Sequence, residues 1–236
     1  MINYLTFDGE NSKDYGVFIS GAGTFNAPER NATTVEVAGR NGNLTIDDGT
    51  YKNVPLSYPA FIYQNFADRA AAFRNVLLSR KGYKRLEDTY HPDEYRMARY
   101  SGGFEAEAVA ELYGGHFTLN FDCMPQRFLK SGEKAVSVSD GDVLNNPTLQ
   151  IAKPLVTCTG NGTISINGIE IVVAGVTDYI NIDCDLQEAY HDDLSSSMNS
   201  NITLTNGEFF ELTSGENTIE YTGFSAVEIV PRWWIV

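Results

Sequence analysis

The stretch Leu155-Val-Thr-Cys-Thr-Gly-Asn-Gly-Thr-Ile-Ser-Ile-Asn-Gly-Ile-Glu-Ile-Val-Val173 decides the fold class. Its β-branched and apolar residues come in runs of about five, too short for helices and of the right length for strands. Gly160-Asn161-Gly162 and Asn167-Gly168 separate the runs. Asn-Gly pairs tolerate positive φ and turn a chain tightly back on itself. The second half of the chain repeats this reading. Strands are predicted at Val136 to Val138, Leu155 to Thr159, Thr163 to Ile166, Ile169 to Val173, Tyr179 to Asp183, Ile202 to Thr205, Phe209 to Leu212, Asn217 to Tyr221 and Val227 to Val230. Short strands at that spacing indicate an antiparallel β-sandwich.

The first half carries the same signals and one helix. Residues 2–7 alternate, Asp8 to Ser12 turns, and Tyr15 to Ile19 resumes an extended run. Thr33 to Val37 and Leu44 to Ile46 flank Gly39-Arg40-Asn41-Gly42-Asn43, which predicts a hairpin, and Asp48-Gly49 adds a further turn. Val54 to Tyr63 reads as a strand in which Pro55 and Pro59 indicate an edge or a bulge. Over Asn65 to Ser79 the period changes. Phe66, Ala70, Phe73 and Leu77 make one helical stripe, Asn65 can cap it, Asp68 suits the first turn, and Gly82 closes the region. Tyr83 to Asp88, Glu94 to Tyr100, Phe104 to Ala108 and His116 to Met124 complete this half as strands. Pro125 to Gly132 reads as a linker, which sets a first domain at 1–128 and a second at 129–236.

Charge is divided unevenly at the same place. Residues 1–128 hold 13 basic and 16 acidic residues, and residues 129–236 hold 4 and 15, within a chain of net charge −14. An acidic second half argues against tight nucleic-acid binding, because affinity for phosphates comes from Lys and Arg. Cys123, Cys158 and Cys184 are odd in number and widely spaced, so they suggest neither a disulfide framework nor a metal site and read as core side chains. The N-terminal residues lack the basic and apolar regions of a signal peptide, and no run approaches a membrane span.

Few constellations point to chemistry. His91, His116 and His191 stand in no metal-binding frame. His191-Asp192-Asp193 with Asp183 and Asp185 forms an acidic loop of the kind that holds a cation, although the EF-hand pattern is absent. Glu105/Glu107 and Asp183/Asp185 each place two carboxylates on one face of a strand, an arrangement compatible with glycoside hydrolysis and equally with a polar sheet face. Ser20-Gly21-Ala22-Gly23-Thr24 is not a dinucleotide fingerprint. No catalytic residue, metal or cofactor is assigned. Trp233-Trp234 are the more informative aromatics. Neighbours on a strand face opposite sides, so one should pack and the other face a rim or a partner.

The ends of the chain resemble one family. Phe7-Asp8-Gly9, Asn11-Ser12, Asp14-Tyr15-Gly16-Val17, Pro28-Glu29-Arg30, Val35-Glu36-Val37-Ala38-Gly39-Arg40-Asn41-Gly42, Asp47-Asp48-Gly49-Thr50-Tyr51, Gly215-Glu216-Asn217-Thr218-Ile219 and Pro231-Arg232-Trp233-Trp234 together resemble the distal tail proteins of long, non-contractile-tailed bacteriophages. The resemblance implies an N-terminal β-sandwich with one helix and an extended β-hairpin arm, and a C-terminal galectin-like β-sandwich. It implies a homohexameric ring at the tail tip, joining the tail tube protein above to a tail-associated fibre or lysin protein below. Receptor-binding proteins would attach to this hub, and DNA would pass through as cargo. The protein would be made in the host bacterial cytoplasm and reside in the virion, with no insertion into a membrane and no enzymatic activity. The second half leaves no room for the inserted carbohydrate module that some relatives carry.

Candidate ring contacts fall on the predicted hairpin at Val35, Val37, Arg40, Asn41, Leu44 and Ile46, for which a purely intramolecular hairpin is the plain alternative. Trp233 and Trp234 are candidates for C-terminal packing or contact. A carbohydrate-binding or adhesin module, suggested by the tyrosines and the tryptophan pair, is the competing function. A wall-glycan hydrolase rests on the carboxylate pairs alone.

Overall fold

The computed structural model describes residues 2–23, 26–109 and 114–236. Thr24, the last residue of the glycine-rich piece, lies outside them. The chain is mostly β, with one α-helix among the described residues, and divides into two compact units, Met1–Arg127 with Val236, and Phe128–Ile235.

In the first unit, β1 (Leu5–Phe7), β2 (Glu10–Asn11), β3 (Val17–Ile19), β6 (Val54–Ile62), β7 (Lys84–Asp88), β8 (Glu94–Tyr100) and β10 (Gly114–Leu129) form one sheet. Its order is β2, β1, β7, β8, β10, β6, β3, with β9 (Ala106–Val109) also on β10. Alternation fixes the inward face. Val54, Leu56, Tyr58, Ala60 and Ile62 of β6 are buried, as are Phe117, Leu119, Phe121 and Cys123 of β10. The helix α1 (Phe66–Ser79) lays Ala70, Phe73 and Leu77 into the same core. Its stripe is the one read from sequence, but Asn65 stands at the N-cap in a left-handed conformation (φ 52°) and makes no side-chain capping bond.

Three local readings change. Ser12–Tyr15 is a 3-10 turn in which Asn11 accepts a hydrogen bond from the Lys13 N–H, so the extended run begins only at Val17. The prolines of β6 lie one strand in from the sheet edge. Because β3 pairs with Ala60, Phe61 and Ile62 alone, the Pro55 half of β6 has, among the described residues, a flank with no strand partner, where no N–H is required. Pro125 to Leu129 is no linker: β10 runs unbroken through it, and a 3-10 turn follows at Lys130–Gly132.

The second unit is built on two long strands, β13 (Leu155–Ile166) and β18 (Gly215–Val230). The predicted turn at Gly160-Asn161-Gly162 is a bulge inside β13, with register shifts on either side of Gly160. The bulge divides the pair in two. Leu155 to Thr159 run beside β15 (Tyr179–Asp183), which pairs with β16 (Glu188–Tyr190), while β11 (Val136–Val138) flanks β18. Beyond the bulge, Gly162 to Ile166 run beside β14 (Ile169–Val173), which pairs with β17 (Ile202–Leu204), while β12 (Val143–Asn146) flanks β18. The inward residues of both halves, among them Val156, Ile182, Ile229, Ile164, Ile171 and Ile219, share one core, so the curled sheet closes as a β-sandwich. Gly162 is obligatory at the crossing: a Cβ there would stand 2.0 Å from the Thr222 carbonyl oxygen. Phe209 to Leu212 is not a strand. Phe210 and Leu212 are buried, and only Leu212 bridges, to Ala152.

Candidate assembly surface

The strands β4 (Arg30–Val35) and β5 (Leu44–Tyr51) pair with each other and, among the described residues, with no other strand. The ribbon is open on both faces; every residue from Arg30 to Thr50 is exposed. Val35 lies opposite Leu44, and Thr33 lies opposite Ile46. With a side-chain period of two, Val35, Leu44, Thr33 and Ile46 share one face. These aliphatic side chains remain in water: Ile46 is 57 % exposed, Val35 40 %, Leu44 41 % and Val37 41 %. Arg40 and Asn41 sit at the tip.

The base of the ribbon is ordered by its own polar groups. Arg30 lies over the Tyr51 ring, 5.0 Å from its centroid, and 3.5 Å from Asp47. The Asp48-Gly49 signal is a bulge inside β5, not a turn between strands. There the Asp47 carboxylate accepts from the Gly49 N–H at 2.8 Å and the Asp48 carboxylate from the Thr50 N–H at 2.9 Å. The Thr50 hydroxyl, then its N–H, hold the Asp48 carboxyl below the usual carboxylate range. Asx bonds of this kind fix the bend without any support from the domain.

The C-terminal motif is anchored within the second unit. Trp233 is buried, while Trp234 is half-buried and donates its indole N–H to the Ile151 carbonyl at 2.9 Å. Arg232, at φ 60°, makes two parallel bonds of 2.7 Å to the Asp183 carboxylate, whose side chain is 3 % exposed. Asp183 also accepts from the Asp185 and Leu186 N–H groups at 3.1 Å each. Burial pushes the Asp183 carboxyl up, but the Arg232 hydrogen bonds, the backbone N–H groups and the guanidinium charge outweigh it and hold the group low.

That pairing removes Asp183 from the acidic loop near His191. His191 stacks on Tyr179 with centroids 4.2 Å apart, and its Nδ1 lies 3.2 Å from Asp192, which accepts from the Tyr179 hydroxyl at 2.6 Å. Among the described residues no three His, Cys, Asp or Glu side chains gather to hold a metal ion. Of the carboxylate pairs, Asp183 is spoken for by Arg232, while Glu105 and Glu107 line one open cleft with His116, where Glu107 stands 85 % exposed, 3.9 Å from His116. All three cysteines are free and buried, each thiol pushed up to about 12, chiefly by desolvation.

An outward aromatic group went unread in the sequence. Phe18 of β3 and Phe61 of β6 have centroids 5.8 Å apart, and the Tyr63 ring stands 5.0 Å from Phe61. The alternation over Val54 to Ile62 was its one available signal, since it places Phe61 on the face opposite Ala60 and Ile62. Among the described residues no helix is long and apolar enough to cross a membrane.

Neither a family model nor a curated protein matches the sequence. Solved structures do match. A crystal structure of the Dit protein of phage SPP1, described as a paradigm of hub adsorption apparatus in phages infecting Gram-positive hosts, aligns with a TM-score of 0.75 and 14 % identity over 97 % of this chain and 98 % of that one. The phage P2 baseplate in its Ca-activated conformation aligns at 0.55 and 10 % identity over 97 % of each chain. The same phage's baseplate activated with Sr aligns at 0.52 and 10 %, over 97 % of this chain and 96 % of that one. From end to end, the fold of this chain is that of a phage distal tail hub protein.

Proposed function

We propose that this chain is a non-catalytic hub of a bacteriophage tail tip, assembled as a homohexameric ring through its β4–β5 arm. The observation that carries the reading is the arm itself: a two-stranded ribbon with one aliphatic face left in water. An isolated ribbon gains little stability from its own pairing, so such a face calls for a partner. Identical copies that dock arm against neighbour make a heterologous contact, and a rotation that closes gives a ring. The hub fold shared over nearly the whole chain supports the same reading.

In this reading residues 1–128 form the ring, and the arm contacts are Val35, Val37, Arg40, Asn41, Leu44 and Ile46. Residues 129–236 form a galectin-like domain that the Arg232–Asp183 pair and Trp233 hold closed. The ring would seat on the tail tube protein, carry the tail-associated fibre or lysin protein and receptor-binding proteins, and pass DNA through its opening. Virion residence at the tail tip follows from these partners.

The test is the Val35→Asp/Ile46→Asp variant. Two exposed side chains change, so subunit stability should stay within about 0.5 kcal/mol of the parent. Each docked arm loses roughly 3 kcal/mol of apolar burial, about a hundredfold in contact affinity. Loss of assembly with an unchanged melting curve supports the reading. Assembly that persists unweakened in the variant refutes the arm as the contact.

A further inference from the structure

Four Asn-Gly pairs occur in the chain, at Asn41, Asn161, Asn167 and Asn206. Asparagine before glycine is prone to a known side reaction, because glycine leaves the following backbone nitrogen open to attack. The structure separates the four. The Asn161 amide donates to the Val176 carbonyl and accepts from the Val176 N–H, both at 2.7 Å. The Asn167 amide donates to Asn217 at 2.7 Å and accepts from the Thr218 N–H at 3.1 Å. Asn206 accepts from the Glu170 N–H at 3.1 Å, and the Gly207 N–H, which would have to attack, donates to the Leu204 carbonyl at 3.2 Å. All four asparagines are exposed, so bonding and not burial sets Asn41 apart. At the tip of the open ribbon, Asn41 makes no side-chain hydrogen bond among the described residues, and the Gly42 N–H donates to no backbone carbonyl among them. Gly42 sits at φ 78°, with open space where a Cβ would be.

We propose that Asn41 is a site of spontaneous deamidation and isoaspartate formation, and that it is the one of the four Asn-Gly pairs the folded protein leaves reactive. The deprotonated Gly42 nitrogen attacks the Asn41 Cγ. The new C–N bond forms as the Cγ–Nδ2 bond breaks, and ammonia leaves with the proton that the nitrogen gave up to solvent. Water then opens the cyclic imide at either carbonyl, giving aspartate or isoaspartate. The balance is one water consumed and one ammonia released, with no redox partner. The product adds a carboxylate beside Arg40, and the isoaspartate form adds a methylene to the backbone of the tip. At Asn161 and Asn167 two hydrogen bonds must open before attack, which slows those sites by about tenfold or more.

The test is a timed incubation of the folded protein in mildly alkaline buffer, followed by peptide mapping and enzymatic isoaspartate labelling. It is run in parallel on the Val35→Asp/Ile46→Asp variant, whose arm is free whether or not the parent assembles. In the variant, the Asn41 peptide should convert first, at least tenfold ahead of the other three. In denaturant the four should converge. Asn41→Gln, whose longer side chain would have to close a larger ring, should abolish the early signal. The proposal is overturned if any other Asn-Gly peptide keeps pace with Asn41 in the folded variant, or if Asn41→Gln leaves the early label unchanged. A slower reaction in the parent than in the variant would report a covered arm, which is a separate question with its own answer.

Discussion

Replacing Arg232 by Met tests the electrostatic anchor of the C-terminal motif. The Asp183 carboxylate is buried, and Arg232 supplies two of the four hydrogen bonds it accepts. Removing one partner of a buried pair costs about 3–5 kcal/mol, because the other charge is left uncompensated. Arg232 itself is 28 % exposed at the side chain, which places the cost near 3 kcal/mol. For a unit of this size that lowers the melting temperature by roughly 10–20 °C. Asp183→Asn should cost less, since its amide oxygen still accepts from the backbone and Arg232 can turn to water. In the Asp183→Asn background the further change Arg232→Met should be nearly free. The pH dependence has a fixed sign. The native carboxyl lies below its unfolded value, so its stabilisation is complete above the unfolded pKa and is lost as pH falls through the native one. The gap between parent and Arg232→Met must therefore narrow in acid. Urea unfolding of the four proteins at neutral and acid pH decides the matter. A single-variant loss under 0.5 kcal/mol, or full additivity of the two changes, would refute the reasoning.

Phe73→Ala, which removes a fully buried ring from the helix, should cost about 3–5 kcal/mol in the first unit, read by denaturant melts. The three cysteines should resist thiol reagents at neutral pH until the protein unfolds. Because each native thiol is raised from 9.0 to about 12, its contribution to stability is complete below pH 9 and lost as pH rises toward 12, so alkaline melts should fall over that window. Gly162→Ala should destabilise the second unit by more than 1 kcal/mol, since its Cβ meets backbone and not a movable side chain, whereas Gly168→Ala meets open space and pays only for its φ of 84°.

The β class, the helix stripe and the β4–β5 hairpin were legible because each rests on local chemistry: alternation, a 3.6-residue period, and an Asn-Gly tip; that the hairpin stands out as an arm came only with the family resemblance. The misreadings share one cause. Gly160-Asn161-Gly162 carries turn chemistry, but the strand on its far side bulges with it, so the chain bends without reversing; only the partner β18 decides between these outcomes. Pro125 and Gly132 read as a break because the pairing that carries β10 on to Leu129 is not local. Phe209 to Leu212 alternates like a strand, yet its apolar pair is buried from a loop. At the candidate surface, the shared face of Val35, Leu44 and Ile46 follows from spacing once the register is known. The tie between Asp183 and Arg232, 49 positions apart, has no sequence signal. Nor does the release of Asp183 from the acidic loop that spacing alone had suggested as a cation site.

Assembly is measured most directly by the mass of the purified protein in solution, alone and mixed with the proposed tail tube and tail-associated fibre proteins. A homohexameric ring gives a sixfold mass and ring-shaped particles in at least one of these conditions. A monomer in every one of them, with no binding to either partner, would contradict it.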